Sequence, residues 1–539
     1  MICPGSRNAP LTVAFSRHPG ITCYSIPDER SAAFIALGLA QYNRLPAAVI
    51  CTSGTAVLNL YPAICEAYYQ QVPLVAITAD RPPELIDQWD GQAIHQVNIF
   101  EKHILNQISM PLFDNEAALH GALQEVDHLI ISSHQQQMPV HINVPFREPF
   151  YPVADESYEY AQDAIEYTEG GLMPEHQSPF DTDDTAVMHK ALLTNPKTLV
   201  LLGSGAANND LGSGFMEFIA QYKPVVIADV LSNDSVKGKM SGYDILLRNT
   251  SHHEALKPGL LISIGGAVVS KSLKIFLRNN KPALHIHIQR IGKVGNPFQT
   301  LTHVLRCSPE QAFASLPAIS NFDESYGNKW RTLDTALNSR QKAEQAGKDG
   351  LSQLYAMQRI LNVIPSQSML HLSSSMPVRY ATLFGVPQEV KVYCNRGTSG
   401  IDGSSSTAVG ASLNYSGITT LITGDIAFFY DINAFWHKHL HNRLRIILLN
   451  NRGGGIFRLI DGPASLKELN PYFETRHERS AEQCAADFGF EYHAVRDVTS
   501  FHSALDDFFA EKQGPALLEI VTDMEADERI YKAFLNACL

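Results

Sequence analysis

The sequence of 539 residues has no run of basic residues, and its acidic residues outnumber its basic ones. Asp and Glu number 55 against 42 Lys and Arg, which gives a formal net charge of −13 at pH 7. Nucleic acids and anionic membrane surfaces are bound through clustered positive charge. The composition therefore excludes both as the main partner, and any anionic ligand must be held by a local group of cations.

The sequence also lacks an apolar stretch that approaches the ~18–20 residues needed to cross a bilayer. The first residues, from Met1 to Gly5, have neither the charged nor the apolar region of a secretory signal. Eight cysteines are scattered along the chain without C-x-x-C spacing, which is typical of reduced thiols and not of a disulfide framework or a zinc site. We therefore expect a cytoplasmic protein without a membrane partner.

The sequence does have a regular alternation of short apolar runs with amphipathic segments. This rhythm predicts doubly wound parallel sheets with helices on both faces, and the length predicts three such α/β domains at about 100–200 residues each. We assign residues 1–167 to a first domain, 182–327 to a central domain and 350–539 to a last domain, with a linker around residues 168–179. The predicted strands are 21–26, 47–52, 74–78, 140–144, 198–202, 225–228, 260–264, 283–288, 369–372, 419–422, 445–449 and 516–520.

The strongest chemical signal lies at the ends of two predicted strands of the last domain. Asp425 follows one strand, and Asn451 follows the next, 26 residues later, beyond a predicted helix over residues 430–441. A right-handed crossover of this length brings both side chains to the carboxyl ends of neighbouring parallel strands, where ligands bind. Carboxylate, amide and carbonyl oxygens suit Mg²⁺, although the same residue types are equally typical of ordinary turns.

This arrangement resembles the thiamine-diphosphate and magnesium motif of the decarboxylase superfamily, in which G-D-G is followed by N-N. Here Ile426 replaces the last glycine of the first part, which points to a subgroup. The glycines 453–455 allow the backbone to approach a diphosphate closely. The segment from Thr52 to Asn59 is similar to the pyrimidine-domain loop of the same superfamily.

A glutamate at the start of a predicted helix over residues 29–42 is the second signal. An acidic residue there can simply stabilise the helix dipole, by about 0.3–1 kcal/mol. Alternatively, the Glu29 carboxyl hydrogen-bonds the aminopyrimidine ring of a thiamine cofactor and exchanges a proton with it. Taken alone, Glu29 leaves both interpretations open.

Five longer blocks, in the order expected for one family, narrow the resemblance. They are residues 3–11 (CPGSRNAPL), 78–85 (TADRPPEL), 92–94 (QAI), 395–403 (NRGTSGIDG) and 450–454 (NNRGG). The chain is similar in these blocks to the 2-succinyl-5-enolpyruvyl-6-hydroxy-3-cyclohexene-1-carboxylate (SEPHCHC) synthases of the menaquinone pathway. The resemblance is dense in the first and last domains and thin in the central one.

The resemblance implies a reaction and its cofactors. 2-Oxoglutarate would be decarboxylated on thiamine diphosphate, held by Mg²⁺ or, alternatively, Mn²⁺, and the carbanion would add to isochorismate in a 1,4 sense. The active sites would lie between the first domain of one subunit and the last domain of another, in a homodimer or homotetramer.

The resemblance also implies which residues hold the cofactor. Glu29 would activate it, and Ile401 would be the apolar wedge that bends it. Asp425, Asn451 and the Gly453 carbonyl would bind the metal. Further cofactor contacts would be Gly424, Ile426, Gly454, Ile456 and Phe457.

Several arginines are expected because both implied substrates are dianions. Two unit charges about 4 Å apart repel by about 4 kcal/mol at an effective dielectric of 20, and the planar fork of arginine binds a carboxylate through two hydrogen bonds. A lone arginine is more often structural, but Arg7, Arg81 and Arg396 lie in Gly-, Pro- or Ser-rich loops, where sites on α/β sheets are built. The implied substrate contacts are Ser6, Arg7, Arg81, Gln92, Lys271, Ser375, Arg379 and Arg396, with catalysis assigned to Gln92 and Ser375.

Three departures from the family pattern concern details. Ser272 follows Lys271 where some relatives carry arginine, and Gly91 precedes Gln92 where some carry asparagine. The family commonly has a helix and the start of a strand before its PGSR block, whereas Met1 lies just ahead of that block here. We expect a misassigned start codon or a truncated chain, with a less stable first domain.

Two other functions stay open on the sequence. Acetohydroxyacid synthase, another thiamine-diphosphate carboligase, would favour a flavin-binding central domain and an apolar pocket, and the arginines count against it. A non-catalytic scaffold would keep the fold without the chemistry, and the intact cofactor and metal residues count against that. Gly203-Ser204-Gly205 lacks the third glycine of a dinucleotide loop and is interpreted as a turn.

Overall fold

A computed structural model of the chain describes residues 1–112, 116–148, 151, 160, 182–209, 211–314, 316–317, 322–343, 350–460 and 462–539. Its strands form three separate parallel sheets packed with helices, which confirms the predicted α/β architecture. Each sheet lies within one predicted domain range; the domain boundaries stay a prediction, and the predicted linker lies outside the described residues. None of the described helices combines the length and apolarity that a bilayer crossing requires.

The first sheet has four strands in the order β1-β2-β4-β3. All seven residues of its strand Leu74–Asp80 are buried, because a parallel strand covered by helices on both faces has no solvent side. The elements are α1 (Ala9–Arg17), α2 (Glu29–Asn43), β1 (Ala47–Cys51), α3 (Thr55–Asn59), α4 (Tyr61–Gln70), β2 (Leu74–Asp80), β3 (Gln107–Ser109), α5 (Glu116–Gln136) and β4 (Val140–Pro145).

The central sheet has five strands in the order β6-β5-β7-β8-β9. Its three inner strands are largely buried, and one of them, Leu284–Ile288, alternates two histidines with apolar residues. The elements are α6 (Thr182–Thr194), β5 (Thr198–Leu202), α7 (Gly212–Tyr222), β6 (Val225–Ala228), α8 (Tyr243–Leu246), α9 (His253–Leu256), β7 (Leu260–Ile264), α10 (Lys271–Asn279), β8 (Leu284–Ile288), β9 (His303–Leu305), α11 (Pro309–Ala314) and α12 (Glu324–Ala343).

The last sheet has six strands in the order β11-β10-β12-β13-β15-β14. The elements are α13 (Gln353–Val363), β10 (Met369–Leu372), α14 (Met376–Phe384), β11 (Lys391–Tyr393), α15 (Ser404–Ser412), β12 (Thr419–Gly424), α16 (Asp425–Tyr430), β13 (Leu444–Asn450), α17 (Glu482–Asp487), β14 (Glu491–Val495), α18 (Val498–Phe508), β15 (Ala516–Val521) and α19 (Met524–Cys538). Strands β12 and β13 are parallel neighbours, with Gly424 opposite Leu449. The residues that follow them therefore leave the sheet side by side, as the crossover argument predicts.

Two predicted elements are wrong. Residues 21–26 form no strand: Ile21 is exposed, and only Ser25 makes a bridge, to Ile2, which itself lies beside β1. The predicted helix over residues 430–441 is also wrong, because α16 ends at Tyr430. The buried Asp431 that follows accepts hydrogen bonds from the backbone and hydroxyl of Ser406, which draws the chain off the helical path.

Helix α2 joins the first domain to the last. It crosses α15 so closely that a Cβ at Gly38 would collide with the carbonyl oxygen of Thr407, and a Cβ at Gly410 with that of Ile35. Apolar residues of both domains merge there into one buried cluster. The absence of a side chain at these two glycines therefore permits the contact that fixes the two domains relative to each other.

Candidate active site

A cavity of about 360 Å³ lies at the carboxyl end of the last sheet. The loops after β10, β12 and β13 surround it, which is where open α/β sheets bind ligands. Every residue that lines it comes from the last domain, between Gln353 and Thr475. The predicted site residues that it brings together are Ser375, Arg379, Arg396, Ile401, Gly424, Asp425, Ile426, Asn451, Gly453, Gly454, Ile456 and Phe457.

The carboxylate of Asp425 connects the two strand ends beneath this cavity. It is buried, with 3% of its surface exposed. Its Oδ2 atom accepts a hydrogen bond of 2.8 Å from the backbone N–H of Gly453, and its Oδ1 atom accepts one of 2.7 Å from the N–H of Ile426. These contacts hold the carboxylate and the glycine loop after β13 in one fixed arrangement.

The two consecutive asparagines after β13 have different environments. Asn450 is buried, and its Nδ2 donates to Glu519 Oε1 at 2.5 Å and to the carbonyl of Arg479 at 3.0 Å. Asn451 lines the cavity. Asn450 therefore holds the end of the sheet, and only Asn451 is placed to offer an amide oxygen to a ligand.

The backbone at Gly453 has φ +155°, and a Cβ there would lie 2.7 Å from the carbonyl oxygen of Glu474. The next N–H, of Gly454, donates to that same carbonyl at 2.7 Å. A residue with a side chain would push this loop away from its neighbour. Glycine therefore permits the tight backbone path that presents the Gly453 carbonyl at the cavity.

The donors at the cavity fit a magnesium ion that is bound together with a diphosphate. Asp425 offers a carboxylate, Asn451 an amide oxygen and Gly453 a carbonyl, all of which are hard oxygen ligands. In the ranges that the structure describes, no group of three or more His, Cys, Asp and Glu could hold a metal. With a single carboxylate, the site balances the charge of Mg²⁺ only when phosphate oxygens complete the coordination.

The loop that carries Arg396 and Ile401 is held from the first domain. Glu66, on α4, is 1% exposed, and its carboxylate accepts hydrogen bonds of 2.7 Å from the N–H of Gly397 and 2.7 Å from the N–H of Thr398. The Thr398 hydroxyl donates to the same carboxylate at 2.5 Å. A buried charge that is satisfied in this way makes the position of the loop well defined.

The predicted site residues of the first domain do not line this cavity. They lie instead at the carboxyl end of the first sheet. Arg81 follows β2, and its Nη2 donates to the carbonyl of Gly91 at 2.5 Å. Gln92, at φ +58°, lies against Gly54 in the loop after β1. Ser6 and Arg7 follow the bridge of Ile2 to the edge of the same sheet, and Arg7 Nη1 donates to the carbonyl of Phe146 at 2.9 Å.

Glu29 belongs to this second group and lies at the first turn of α2. The preceding residue, Asp28, caps the helix by accepting hydrogen bonds from the N–H groups of Arg30 and Ser31. Burial raises the pKa of Glu29, its own backbone hydrogen bond acts in the opposite direction, and the neighbouring Asp28 raises the pKa further. A carboxyl with a raised pKa is suited to exchanging a proton with a bound group.

Comparisons with known proteins agree with this geometry. Residues 1–103 match the family model of the thiamine pyrophosphate enzyme N-terminal TPP binding domain, and residues 373–520 match that of the C-terminal TPP binding domain. The chain is 39% identical over 542 residues to the 2-succinyl-5-enolpyruvyl-6-hydroxy-3-cyclohexene-1-carboxylate synthase of Cytophaga hutchinsonii, covering 99% of this chain and 95% of that protein. Proteins of the same name from Flavobacterium johnsoniae and Porphyromonas gingivalis are each 36% identical, covering 99% of this chain and 95% and 94% of those proteins.

The chain belongs to the SEPHCHC synthase family.

Membership confirms the predicted family, and it confirms that the chain is an enzyme that uses thiamine diphosphate. The relatives favour a SEPHCHC synthase over an acetohydroxyacid synthase or a scaffold without chemistry. The two matched regions contain the two groups of site residues, one at the end of the first sheet and one at the end of the last.

The cationic part of this SEPHCHC synthase site lies where the central and last domains meet. Arg379 Nη1 donates a hydrogen bond of 2.6 Å to the carbonyl of Ser375. Burial lowers the pKa of Arg379, and the charge of Arg396 lowers it further. Burial also lowers the pKa of Lys274, on α10, and the positive charge of Arg396 lowers it further. Burial raises the pKa of the neighbouring Asp229 to about 6, although the positive charges of Arg396 and Lys274 act in the opposite direction. Positive charge is therefore concentrated beside the cavity.

At three positions, the residues that the structure places at or near the site differ from those that the sequence predicts. Lys271 is exposed and does not line the cavity, whereas Lys274, one helical turn later, interacts with Arg396. Glu66 was missed, although an acidic residue in the apolar run of α4 is a signal for a buried partner. His477 was missed as well. Its Nε2 lies 3.4 Å from Asp425 Oδ2, and no spacing in the sequence links those two residues.

Proposed function

We propose that this enzyme decarboxylates 2-oxoglutarate and adds the remaining four-carbon unit to isochorismate, forming SEPHCHC in menaquinone biosynthesis. The observation that carries the proposal is one cavity in which the magnesium-type donors of Asp425, Asn451 and Gly453 lie beside the guanidinium groups of Arg379 and Arg396. The name shared by relatives that cover almost the whole chain supports the same substrates.

The last domain would hold the cofactor through its diphosphate. Asp425, Asn451 and the Gly453 carbonyl would bind the magnesium ion, and Ile401, which lines the same cavity, would contact the cofactor. When bound, thiamine diphosphate would supply a nucleophilic carbon that adds to the 2-oxo group and a cationic ring that accepts the electron pair released by decarboxylation. Ile456 and Phe457 also line the cavity, and their apolar side chains would keep water away from a reactive carbon.

The arginines would bind the carboxylates of the substrates. Arg379 is partly buried, and its Nη1 is already oriented by the carbonyl of Ser375. Arg396 lies on the loop that Glu66 holds. Because the guanidinium groups are kept in place before the substrate arrives, less conformational freedom is lost on binding. Ser375, at φ +82°, would place its hydroxyl beside the same anionic groups.

The first domain would supply proton transfer and further substrate contacts. Glu29 would give a proton to the aminopyrimidine ring and take it back, and its raised pKa makes the protonated form more accessible near neutral pH. Arg7, Arg81, Gln92 and Ser6 would contact the substrates. Lys271 is exposed and would contact a substrate from outside the cavity.

We further propose that the working enzyme is a homodimer or homotetramer in which Glu29 of one subunit meets Asp425 of another. Within one chain, Glu29, Arg81 and Gln92 do not line the cavity of the last domain. The indole of Trp89, close to Gln92, is fully exposed, and Val97 is 53% exposed. An exposed apolar loop beside half of a site is best explained by a partner subunit that covers it.

Mixing two inactive variants tests this arrangement. Glu29→Gln and Asp425→Ala subunits should each be inactive alone. A mixed dimer contains one site in which an intact Glu29 faces an intact Asp425, and one site in which both residues are replaced. Each mixed dimer that forms on co-refolding should therefore recover up to about half of the activity of a natural dimer. An active monomer in sedimentation, or no recovery in a mixture shown to contain mixed dimers, would contradict the proposal.

The reaction itself is tested with 2-oxoglutarate, isochorismate, thiamine diphosphate and Mg²⁺. Isochorismate absorbance should fall only when all four are present, and mass spectrometry should find a product that retains four carbons of 2-oxoglutarate. Replacing 2-oxoglutarate with pyruvate provides the control, because pyruvate lacks the second carboxylate. Turnover of pyruvate in preference to 2-oxoglutarate would contradict the proposed substrate.

A further inference from the structure

His477 lies beside the carboxylate of Asp425, although it does not line the cavity of the candidate active site. Its Nε2 atom is 3.4 Å from Asp425 Oδ2, and only 13% of the His477 side chain is exposed. Because the imidazole does not reach that cavity, it would act on a ligand bound there through Asp425.

Two contacts hold the imidazole in this position. Phe429 lies four residues after Asp425 on α16, so the two side chains share one face of that helix. The rings of Phe429 and His477 meet edge to face, with their centroids 5.5 Å apart. The backbone N–H of His477 donates to the carbonyl of Arg452 at 3.2 Å. The imidazole is therefore fixed to the helix after β12 and to the loop after β13.

The hydrogen bonds of the ring assign the position of its proton. The backbone N–H of Arg479 donates to Nδ1 of His477 at 3.1 Å, so Nδ1 is an acceptor and the neutral ring carries its proton on Nε2. This Nε2–H is buried and makes no hydrogen bond among the residues that the structure describes. A buried donor without an acceptor is unfavourable. A shift of about 0.5 Å would bring Nε2 and Asp425 Oδ2 to the usual length of a hydrogen bond.

A neutral donor suits a carboxylate that binds a divalent cation. A lysine or an arginine in this place would bring a positive charge close to Mg²⁺ and repel it. The neutral imidazole of His477 offers a hydrogen bond without a charge, and it would act on the same Oδ2 atom that accepts from the N–H of Gly453. Hydrogen bonds from outside a metal site orient the ligating groups.

We infer that His477 is a positioning residue of the metal site. Its Nε2–H donates to Asp425 Oδ2 when Mg²⁺ and the diphosphate are bound, and it holds the carboxylate in the orientation in which it binds the ion. This inference rests on the part of the proposed function that makes Asp425 a metal ligand. It does not depend on which substrates the enzyme uses.

Two substitutions separate this role from a merely structural one, because each keeps the function of a different ring nitrogen. His477→Asn keeps an acceptor near Nδ1 for the N–H of Arg479, but it has no donor that reaches Asp425. His477→Gln places an amide N–H near Nε2 and keeps that donor, but it loses the acceptor for Arg479. A positioning role and a structural role therefore predict opposite orders for the two variants.

The readout is the affinity of the full chain for thiamine diphosphate at a fixed concentration of Mg²⁺, measured by fluorescence titration. The affinity should fall by about 10–100-fold in His477→Asn and by no more than about threefold in His477→Gln. His493→Asn, at an exposed position of β14, is the control and should bind as the natural chain does. Natural affinity in His477→Asn, or a larger loss in His477→Gln than in His477→Asn, would overturn the inference.

The thermal midpoint of each variant without cofactor shows whether it folds. If His477→Asn does not fold, His477→Gln decides: affinity within about threefold of the natural value supports the positioning role, and a larger loss overturns it. In a folded double variant, His477→Asn should weaken binding little beyond Asp425→Asn alone, because the two side chains act as one unit. Independent, additive losses would contradict this.

The same titrations distinguish failure of this inference from failure of the proposed function. Natural affinity in Asp425→Asn would end the assignment of Asp425 to the metal and the role of His477 with it. A loss in Asp425→Asn together with natural affinity in His477→Asn would end only the role of His477. The predicted order of affinities in a chain without SEPHCHC synthase activity would support the role of His477 and end the proposed reaction.

Discussion

The carboxylate of Glu66, in the first domain, accepts a hydrogen bond of 2.7 Å from the backbone N–H of Gly397, in the last. The two residues are 331 positions apart in the chain. Through this contact, a buried carboxylate of one domain fixes a loop of another, and that loop carries Arg396 to the cavity of the candidate active site. The placement of Arg396, which we propose to bind the substrate, therefore depends on how the two domains pack.

Replacing Glu66 with Gln should loosen this loop. The amide keeps one acceptor oxygen but faces the second N–H with its own donor, so we expect a loss of about 1–3 kcal/mol in stability. The KM for 2-oxoglutarate should rise more than the dissociation constant of thiamine diphosphate. Glu217→Gln, an exposed position on α7, is the control. An unchanged KM in a destabilised Glu66→Gln enzyme would show that the loop does not position Arg396.

Replacing Asp425 with Asn should remove Mg²⁺-dependent binding of thiamine diphosphate. The amide cannot supply the single negative charge of the metal site, so we expect the affinity for the cofactor in the presence of Mg²⁺ to fall by about 100-fold or more. Quenching of intrinsic fluorescence by the cofactor measures the affinity. Asp506→Asn, at an exposed position of α18, is the charge-matched control. Cofactor binding by Asp425→Asn at the natural affinity would exclude Asp425 as the metal ligand.

Replacing Glu29 with Gln should abolish turnover and leave cofactor binding intact. Loss of a general acid–base group typically lowers the rate by about 10²–10⁴-fold. Two quantities are measured: the rate of isochorismate consumption at saturating cofactor, and the affinity of the enzyme for the cofactor. A Glu29→Gln enzyme with undiminished turnover of 2-oxoglutarate would rule out the activating role.

The pH dependence of stability provides a second test of Glu29. Burial raises the pKa of Glu29 above the ordinary value of 4.5, so the folded state binds the proton more tightly than the unfolded state. The stability gained from this proton is fully present below pH 4.5 and is lost as the pH rises through the folded pKa. The ionised carboxylate is therefore unfavourable at neutral pH. Thermal denaturation of Glu29→Gln should give a midpoint at or above the natural one at pH 8, with the difference disappearing near pH 4.

Replacing Gly38 with Ala should disturb the contact between the first and last domains. The new Cβ would collide with the backbone of Thr407, which belongs to a buried helix and cannot move aside, and overpacking of this kind destabilises by about 1–3 kcal/mol. Gly121→Ala on α5 is the matched control, because its Cβ meets nothing within 4 Å and should stabilise the helix slightly. A thermal midpoint in Gly38→Ala as high as in the control would contradict the close packing of α2 on α15.

Much of the fold could be predicted from local pattern. The inner strands of all three sheets are short runs rich in apolar residues, and their predicted bounds agree with the structure to within one or two residues. The strands that were not predicted are β3, β9, β11 and β14, and each lies at the edge of its sheet. An edge strand has one partner and one open side, so it needs no long apolar run, and its sequence lacks the signal.

The sequence by itself determined the chemistry available at the strand ends. A carboxylate, an amide and glycines follow two consecutive predicted strands, and a right-handed crossover of that length is able to place the two strands side by side. Only the tertiary structure decided which of these groups meet. It turned Asn450 towards Glu519 and left Asn451 at the cavity, it ended α16 at Asp431, and it placed Glu66 beneath the loop of Arg396. Such choices depend on contacts between residues far apart in the chain, where the free energy comes from burial and hydrogen bonding that no local pattern encodes.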